Sequence, residues 1–125
     1  MSETTILGVG QIALAVSDVG VAKAFYVDVL GLTHLFDAGP DLSFLDAGGL
    51  RIMLTKPEGL AEVGRNSVLY FRVRNVDGAH AGAVANGAAD AGAPHLIAQM
   101  PDHELWMGFV KDPDGNLVGL MQERR

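Results

Sequence analysis

The stretch Asp46-Ala-Gly-Gly-Leu-Arg-Ile-Met-Leu54 returns in altered form as Asp112-Pro-Asp-Gly-Asn-Leu-Val-Gly-Leu120. Earlier in each half, Gln11-Ile-Ala-Leu-Ala-Val-Ser-Asp-Val19 is answered by Val68-Leu-Tyr-Phe-Arg-Val-Arg-Asn-Val76. Each pair reads as a strand of the same period in the same order, so the sequence is a duplicated module. Two copies of one curved unit must bury their open faces against something. A duplicated unit usually leaves a cleft between its copies, and the residues lining it decide the function.

The local pattern defines the module. Ile6 to Val16 alternates and is rich in β-branched residues, which predicts a strand. Ser17 or Asp18 offers an N-cap, Ala22, Phe25, Tyr26, Val29 and Leu30 recur at helical spacing, and Gly31 is a natural stop. Short strands are expected at 33–37, 42–47 and 50–55, split by the Gly39-Pro40 and Gly48-Gly49 turns. The segment 56–66 is polar, carries Pro57, Gly59 and Gly64, and reads as a linker. A strand at 67–73 opens the second copy, then Asn75 or Asp77 caps an Ala-rich helix to about Asn86. Gly82 inside that helix costs about 1 kcal/mol relative to Ala, so the helix depends on packing. Strands at 95–100, 103–111 and 117–123 complete the unit, with a tight turn at Asp112-Pro113-Asp114-Gly115. The expected fold is α+β: a single domain over 1–125 of paired βαβββ modules, the first at about 6–55 and the second at about 67–123, with two curved sheets forming a cleft and helices outside.

Bulk properties set limits on partners. The 125 residues suffice for one core without covalent staples. There is no cysteine, which removes disulfides, thiolate metal sites and a cysteine nucleophile. A formal net charge of -6 argues against nucleic acid or an anionic membrane as partner. The N-terminal residues do not read as a leader and no apolar run approaches 18 residues. A soluble cytoplasmic protein is the expectation.

Three segments together resemble a known family: the strand 11–16 ending in Ser17-Asp18, the run Phe25-Tyr26-Val-Asp-Val-Leu-Gly31-Leu32, and Phe109-Val-Lys-Asp-Pro-Asp-Gly-Asn116. The sequence is similar to the vicinal oxygen chelate superfamily, which includes glyoxalase I, bleomycin-resistance proteins, fosfomycin-resistance enzymes, methylmalonyl-CoA epimerase and extradiol dioxygenases. The resemblance implies that metal ligands, His, Gln or Glu in those metalloenzymes, come from the first and last strand of each module. The matching positions here are Gln11, Met53, Val68 and Gly119. A catalytic metal needs about three N or O donors, and only Gln11 supplies one. The expectation is therefore no metal and no cofactor.

No other constellation takes its place. The histidines His34, His80, His95 and His103 form no local metal pair. His103 and Glu104 are consecutive in the strand expected at 103–111, which points them to opposite faces. Nucleophile elbows and phosphate-cradling loops are absent. Catalytic residues remain unassigned.

Strand alternation gives the lining of the cleft. Ile12, Leu14, Val16, Ile52, Leu54, Leu69, Phe71, Val73, Val118 and Leu120 belong under the helices. The open side receives Gln11, Ala13 and Ala15, then Arg51, Met53 and Thr55, then Val68, Tyr70 and Arg72, then Leu117, Gly119 and Met121. With the sole tryptophan, Trp106, the candidate ligand-binding residues are Gln11, Arg51, Met53, Val68, Tyr70, Arg72, Trp106, Gly119 and Met121. Plainer roles are open to each of the main candidates. Arg72 can pair with Asp37 or Glu104, Arg51 can lie in water at a rim, and Tyr70 can be a core aromatic. Gln11 can be a satisfied polar group at the seam, Trp106 can pack in a hairpin, and Met53 and Met121 can be adaptable filler.

Three functions follow from this reading. The first is a metal-free protein sequestering an apolar or aromatic small molecule, as bleomycin-resistance-like proteins do. The second is an enzyme: a metal-independent isomerase or lyase using Tyr70, His103 or Glu104, or a metal-dependent lyase or dioxygenase of the same superfamily. The third is a structural or regulatory dimer whose cleft its own side chains fill. A small-molecule ligand and a symmetric homodimer are the expected partners.

Overall fold

Why the sequence forms two sheets is clearest from where its turns fall. The computed structural model describes residues 6–57, 63–64 and 66–125. In chain order the elements are β1 (Gln11–Ala15), α1 (Val19–Ala24), a wider π-helical turn (Phe25–Val29), β2 (Thr33–Asp37), β3 (Leu42–Ala47) and β4 (Leu50–Thr55). Then follow β5 (Leu69–Arg72), α2 (Val76–Ala85), β6 (Ala89–Gln99), β7 (Glu104–Lys111) and β8 (Leu117–Arg124). The βαβββ order occurs twice, and the fold is α+β. Each quartet makes its own mixed sheet, ordered β1-β4-β3-β2 and β5-β8-β7-β6. In each sheet the first strand pairs parallel with the last and the remaining pairs are antiparallel. The expected linker at 56–66 lies largely outside the described residues.

Both helices start on side-chain caps. Asp18 accepts from the Val21 N–H at 3.0 Å, and Asn75 accepts from the Gly78 N–H at 3.1 Å. Ser17 and Asp77, the alternative caps, act elsewhere. The Ser17 N–H donates to Asp114 Oδ2 at 3.0 Å and its hydroxyl bonds the same carboxylate, while Asp77 Oδ2 pairs with Arg124 at 2.6 Å.

The helix-side faces of both sheets share one core. Leu14, Val16, Tyr26, Leu45, Ile52 and Leu54 of the first unit join Ala83, Ala88, Val110 and Val118 of the second in a single buried cluster. A polar clasp closes the same seam. Tyr26 Oη donates to Asp112 Oδ2 at 2.8 Å, and Asn116 Nδ2 donates to that oxygen at 2.7 Å. Asn66 Nδ2 donates to Asn116 Oδ1 at 2.9 Å, and its own Oδ1 accepts from the Ala15 N–H at 3.0 Å. Burial raises the Tyr26 phenol well above its ordinary value, and the Asp112 charge and hydrogen bond act in the same direction.

Four expectations need correction. The first strand begins at Gln11 and not Ile6, because β4 offers its first parallel partner, Arg51, only there. Residues 6–10 are exposed. Ala15, assigned to the open side, is buried beneath the Asn66 clasp. The second module's first strand is shorter than 67–73, and its core residues Leu69, Phe71 and Val73 are only half-buried because β5 is a sheet edge. Finally, β6 starts at Ala89, well before 95, and pairs with β7 through three register shifts.

Candidate ligand-binding site

Pairing register decides which side chains share a face. In the first sheet Gln11 stands beside Arg51, Ala13 beside Met53, and Met53 opposite Phe44. The side chains form a connected surface. Arg51 Nε donates to Gln11 Oε1 at 3.0 Å, Gln11 Nε2 lies 3.7 Å from Met53 Sδ, and the Arg51 guanidinium sits 5.5 Å over the Phe44 ring. Phe44 in turn stacks on Phe36 with centroids 4.6 Å apart. A guanidinium over a ring face is attracted by its quadrupole, so this surface holds Arg51 extended while leaving its terminal nitrogens available.

The second sheet repeats the register with large and small residues exchanged. Tyr70 stands beside Gly119 and Arg72 beside Met121, while Phe109 and Met107 face the same two β8 positions from β7. Tyr70 takes the place of Ala13 and Gly119 that of Met53. The Tyr70 ring lies directly on Gly119, where an added Cβ would come within 2.4 Å of its Cδ2. The ring also meets Phe109 edge-on, 5.9 Å between centroids. Tyr70 nonetheless remains 47% exposed, so the ring forms a wall and not a core.

The structure brings Gln11, Arg51 and Met53 together on one open face, and Tyr70, Gly119, Arg72 and Met121 on the other. Among the described residues no hydrogen bond or ring contact joins the two groups. Val68 precedes β5 and is exposed. Trp106 lies elsewhere. Counting along β7 from buried Val110 places it on the helix side, where Arg124 lies 4.1 Å over its ring and its Nε1–H donates to Glu104 Oε1 at 3.0 Å. Neither carboxylate considered for Arg72 reaches it: Asp37 binds Lys23 and His34, and Glu104 binds Trp106. His103 and Glu104 line a concavity of about 400 Å³ at the β6–β7 turn, where His103 Nδ1 bonds Asp102 Oδ1 at 2.6 Å. That bond is the leading reason the Asp102 carboxyl is held below the usual carboxylate range. Tyr70 lines a different concavity, so these three groups do not form one proton-transfer site.

A family model described as the glyoxalase/bleomycin resistance protein/dioxygenase superfamily matches residues 8–120. The chain belongs to that superfamily. No curated protein matches it. Among solved structures, TnmS3, an antibiotic-binding protein from Streptomyces sp. CB03234, is 25% identical with a TM-score of 0.74, covering 97% of this chain and 99% of its own. Lactoylglutathione lyase from Agrobacterium tumefaciens is 21% identical at a TM-score of 0.70, covering 95% and 96%. TioX from Micromonospora sp. ML1 is 22% identical at a TM-score of 0.68, covering 90% and 93%. The last two likenesses speak to the fold alone.

The positions that the sequence resemblance matches to the superfamily's metal ligands carry Gln11, Met53, Val68 and Gly119. These residues do not fit a metal ion. Valine and glycine offer no side-chain donor, the thioether of Met53 is a soft one, and the Gln11 carbonyl oxygen already accepts from Arg51. Among the described residues no three His, Asp or Glu side chains cluster as metal ligands, and no helix is long and apolar enough to cross a membrane.

Sequence reasoning missed Phe36, Phe44, Met107 and Phe109, which complete the two open faces. It followed only the first and last strands of each module. The alternation of β3 and β7 against their neighbours carries the same signal for these four.

Proposed function

We propose that this superfamily member is a metal-free protein that binds an apolar or aromatic small molecule on its open sheet faces. One observation carries the reading: three of the four positions matched to metal ligands, Gln11, Met53 and Gly119, are engaged instead in polar, thioether and aromatic contacts on the two separate faces. Gln11 spans Arg51 and Met53, and Tyr70 caps Gly119. Surfaces of this kind, mostly apolar with a few oriented polar groups, are typical of small-molecule sites. Similarity to TnmS3, described as antibiotic-binding, supports the same class. Arg51 and Tyr70 supply orienting donors, and the flexible Met53 and Met121 adapt to ligand shape.

A second copy closes the site. Tyr70, Phe36 and Leu117 leave apolar area open to solvent on the strands, and isologous pairing is the commonest way to cover such faces. Analytical ultracentrifugation is expected to give a dimer, and a monomer at every accessible concentration would remove that part of the reading.

The direct test uses 2-naphthol as an uncharged aromatic probe, followed by amide and methyl NMR. Saturable shifts are expected at Met53, Met121 and Phe44, unchanged by EDTA. Elemental analysis after incubation with zinc, nickel, iron and manganese is expected to find no stoichiometric ion. One tightly held equivalent per chain, or no saturable probe binding, would overturn the proposal.

A further inference from the structure

The free edge of β5 faces a groove whose two ends differ in character. Toward one end, Leu30, Leu32, Ala47, Phe71 and Leu120 line a concavity of about 340 Å³ between the two modules. Toward the other, Arg72, Arg74 and Arg125 with Gln122 and Glu123 line one of about 450 Å³. Both concavities include Arg72 and Val73, so the apolar end and the cationic end adjoin at these two residues.

Charge and hydrogen bonding at the cationic end are only partly used. Arg125 is shared between Glu123 Oε1 at 3.3 Å and Asp102 Oδ2 at 3.6 Å. No carboxylate among the described residues lies within ion-pair reach of Arg72 or Arg74. In a chain with 15 acidic and 9 basic residues, two exposed guanidiniums lining one concavity without such a partner form a local patch of positive charge that attracts an anion. The backbone adds donors. The Val73 N–H donates to the Met121 carbonyl at 2.8 Å, and successive strand residues turn their peptide groups to alternate sides. Tyr70 and Arg72 therefore direct theirs away from β8, onto an edge that no further strand among the described residues covers.

We infer that this groove binds an amphipathic carboxylate, an acyl or aryl body in the apolar end with its carboxylate on Arg72 and Arg74. Arginine recognises a carboxylate through paired N–H donors in a planar fork. Glu123 in the same wall disfavours a more highly charged head group. The site stands apart from the two open faces, meeting them only at Tyr70 and Arg72, and does not depend on the cleft reading.

Octanoate is the probe, with octanamide as its uncharged counterpart. In a two-dimensional amide NMR titration, octanoate is expected to shift Arg72, Val73 and Leu32 saturably, with octanamide binding at least about tenfold more weakly. The Arg72→Gln/Arg74→Gln variant should raise the octanoate Kd by about tenfold or more with an unaltered melting curve, since both side chains carry charge to the surface. Lys56→Gln/Lys111→Gln, which removes the same charge far from the groove, should leave that Kd unchanged. Equal binding of octanoate and octanamide, an unaltered Kd in the arginine variant, or shifts confined to Phe44 and Met53 would overturn the inference. So would slow exchange of the Tyr70 and Arg72 amides in the free protein, because a strand from a second copy would then already occupy the edge. Loss of 2-naphthol binding alone would bear on the cleft and not on this groove.

Discussion

Tyr26 shows how one side chain governs the meeting of the two modules. It is buried, and its hydroxyl gives the Asp112 carboxylate one of four hydrogen bonds, the others coming from the Asp114 N–H and the Asn116 N–H and side chain. Hydrogen bonds to charged groups contribute about 1.5–3 kcal/mol, so Tyr26→Phe should lower stability by about that amount in urea denaturation near neutral pH. The pH dependence has a definite sign. Because the folded state raises the Tyr26 pKa, the fold favours the neutral phenol. Its contribution is whole below the ordinary tyrosine pKa of about 10 and drains away as pH rises above it. The stability gap between wild type and Tyr26→Phe should therefore narrow as pH passes about 10, and a constant gap would exclude this origin. Gly119 gives a second residue-level test. A Cβ there meets the Tyr70 ring, so Gly119→Ala should cost about 1–3 kcal/mol. Combining it with Tyr70→Ala should remove most of that cost, which a double-mutant cycle reads directly.

At the scale of elements, two glycines separate backbone freedom from close packing. Gly82 lies within α2 with open space where a Cβ would stand. Gly82→Ala should stabilise by about 0.5–1 kcal/mol, visible as a higher melting temperature. Gly108 on β7 is different, because a Cβ there would approach Pro94 Cγ to 3.0 Å and its ring nitrogen to 3.3 Å. Gly108→Ala should destabilise and loosen the β6–β7 pairing, seen as faster amide exchange along β6. The same strands mark what the sequence discloses. β4 and β8 were legible because β-branched and leucine residues alternate between well-defined turns, and α2 because Asn75 caps a small-residue run. The first half of β6 was not, since Ala89-Asp-Ala-Gly-Ala-Pro94 has almost no strand propensity and is extended only because β7 pairs with it. In the candidate site, period-two alternation alone picked out Tyr70, whereas Gln11, Met53 and Gly119 were matched through the family resemblance and then assigned to the open side by the same alternation. Trp106 required parity counted from Val110, and a shift of one residue exchanges the faces. The groove along β5 was beyond sequence reading, because Leu30, Leu32 and Ala47 reach it only through tertiary packing.

At the scale of the whole molecule, the question is whether a duplicated sequence behaves as one cooperative body or two. Each sheet is complete in itself and no strand of one pairs with the other, which by itself would permit independent unfolding. Two features oppose it. The buried cluster draws Leu14, Ile52 and Tyr26 together with Val110 and Val118, and the Asp112 carboxylate is satisfied by donors from both halves. Opening the seam would expose that apolar surface and leave a buried carboxylate short of a partner, a penalty of about 1–3 kcal/mol or more for the charge alone. Thermal or urea unfolding should accordingly show one transition. The probes for this are well separated, because the sole tryptophan reports only on the second sheet while far-ultraviolet circular dichroism reports on both. Coincident midpoints from Trp106 fluorescence and circular dichroism are the expected result. Asn66→Ala, which removes the bridge between the Ala15 backbone and Asn116, should lower both midpoints together. If circular dichroism instead resolves an earlier step that fluorescence misses, the first module opens alone and the shared core does not couple them.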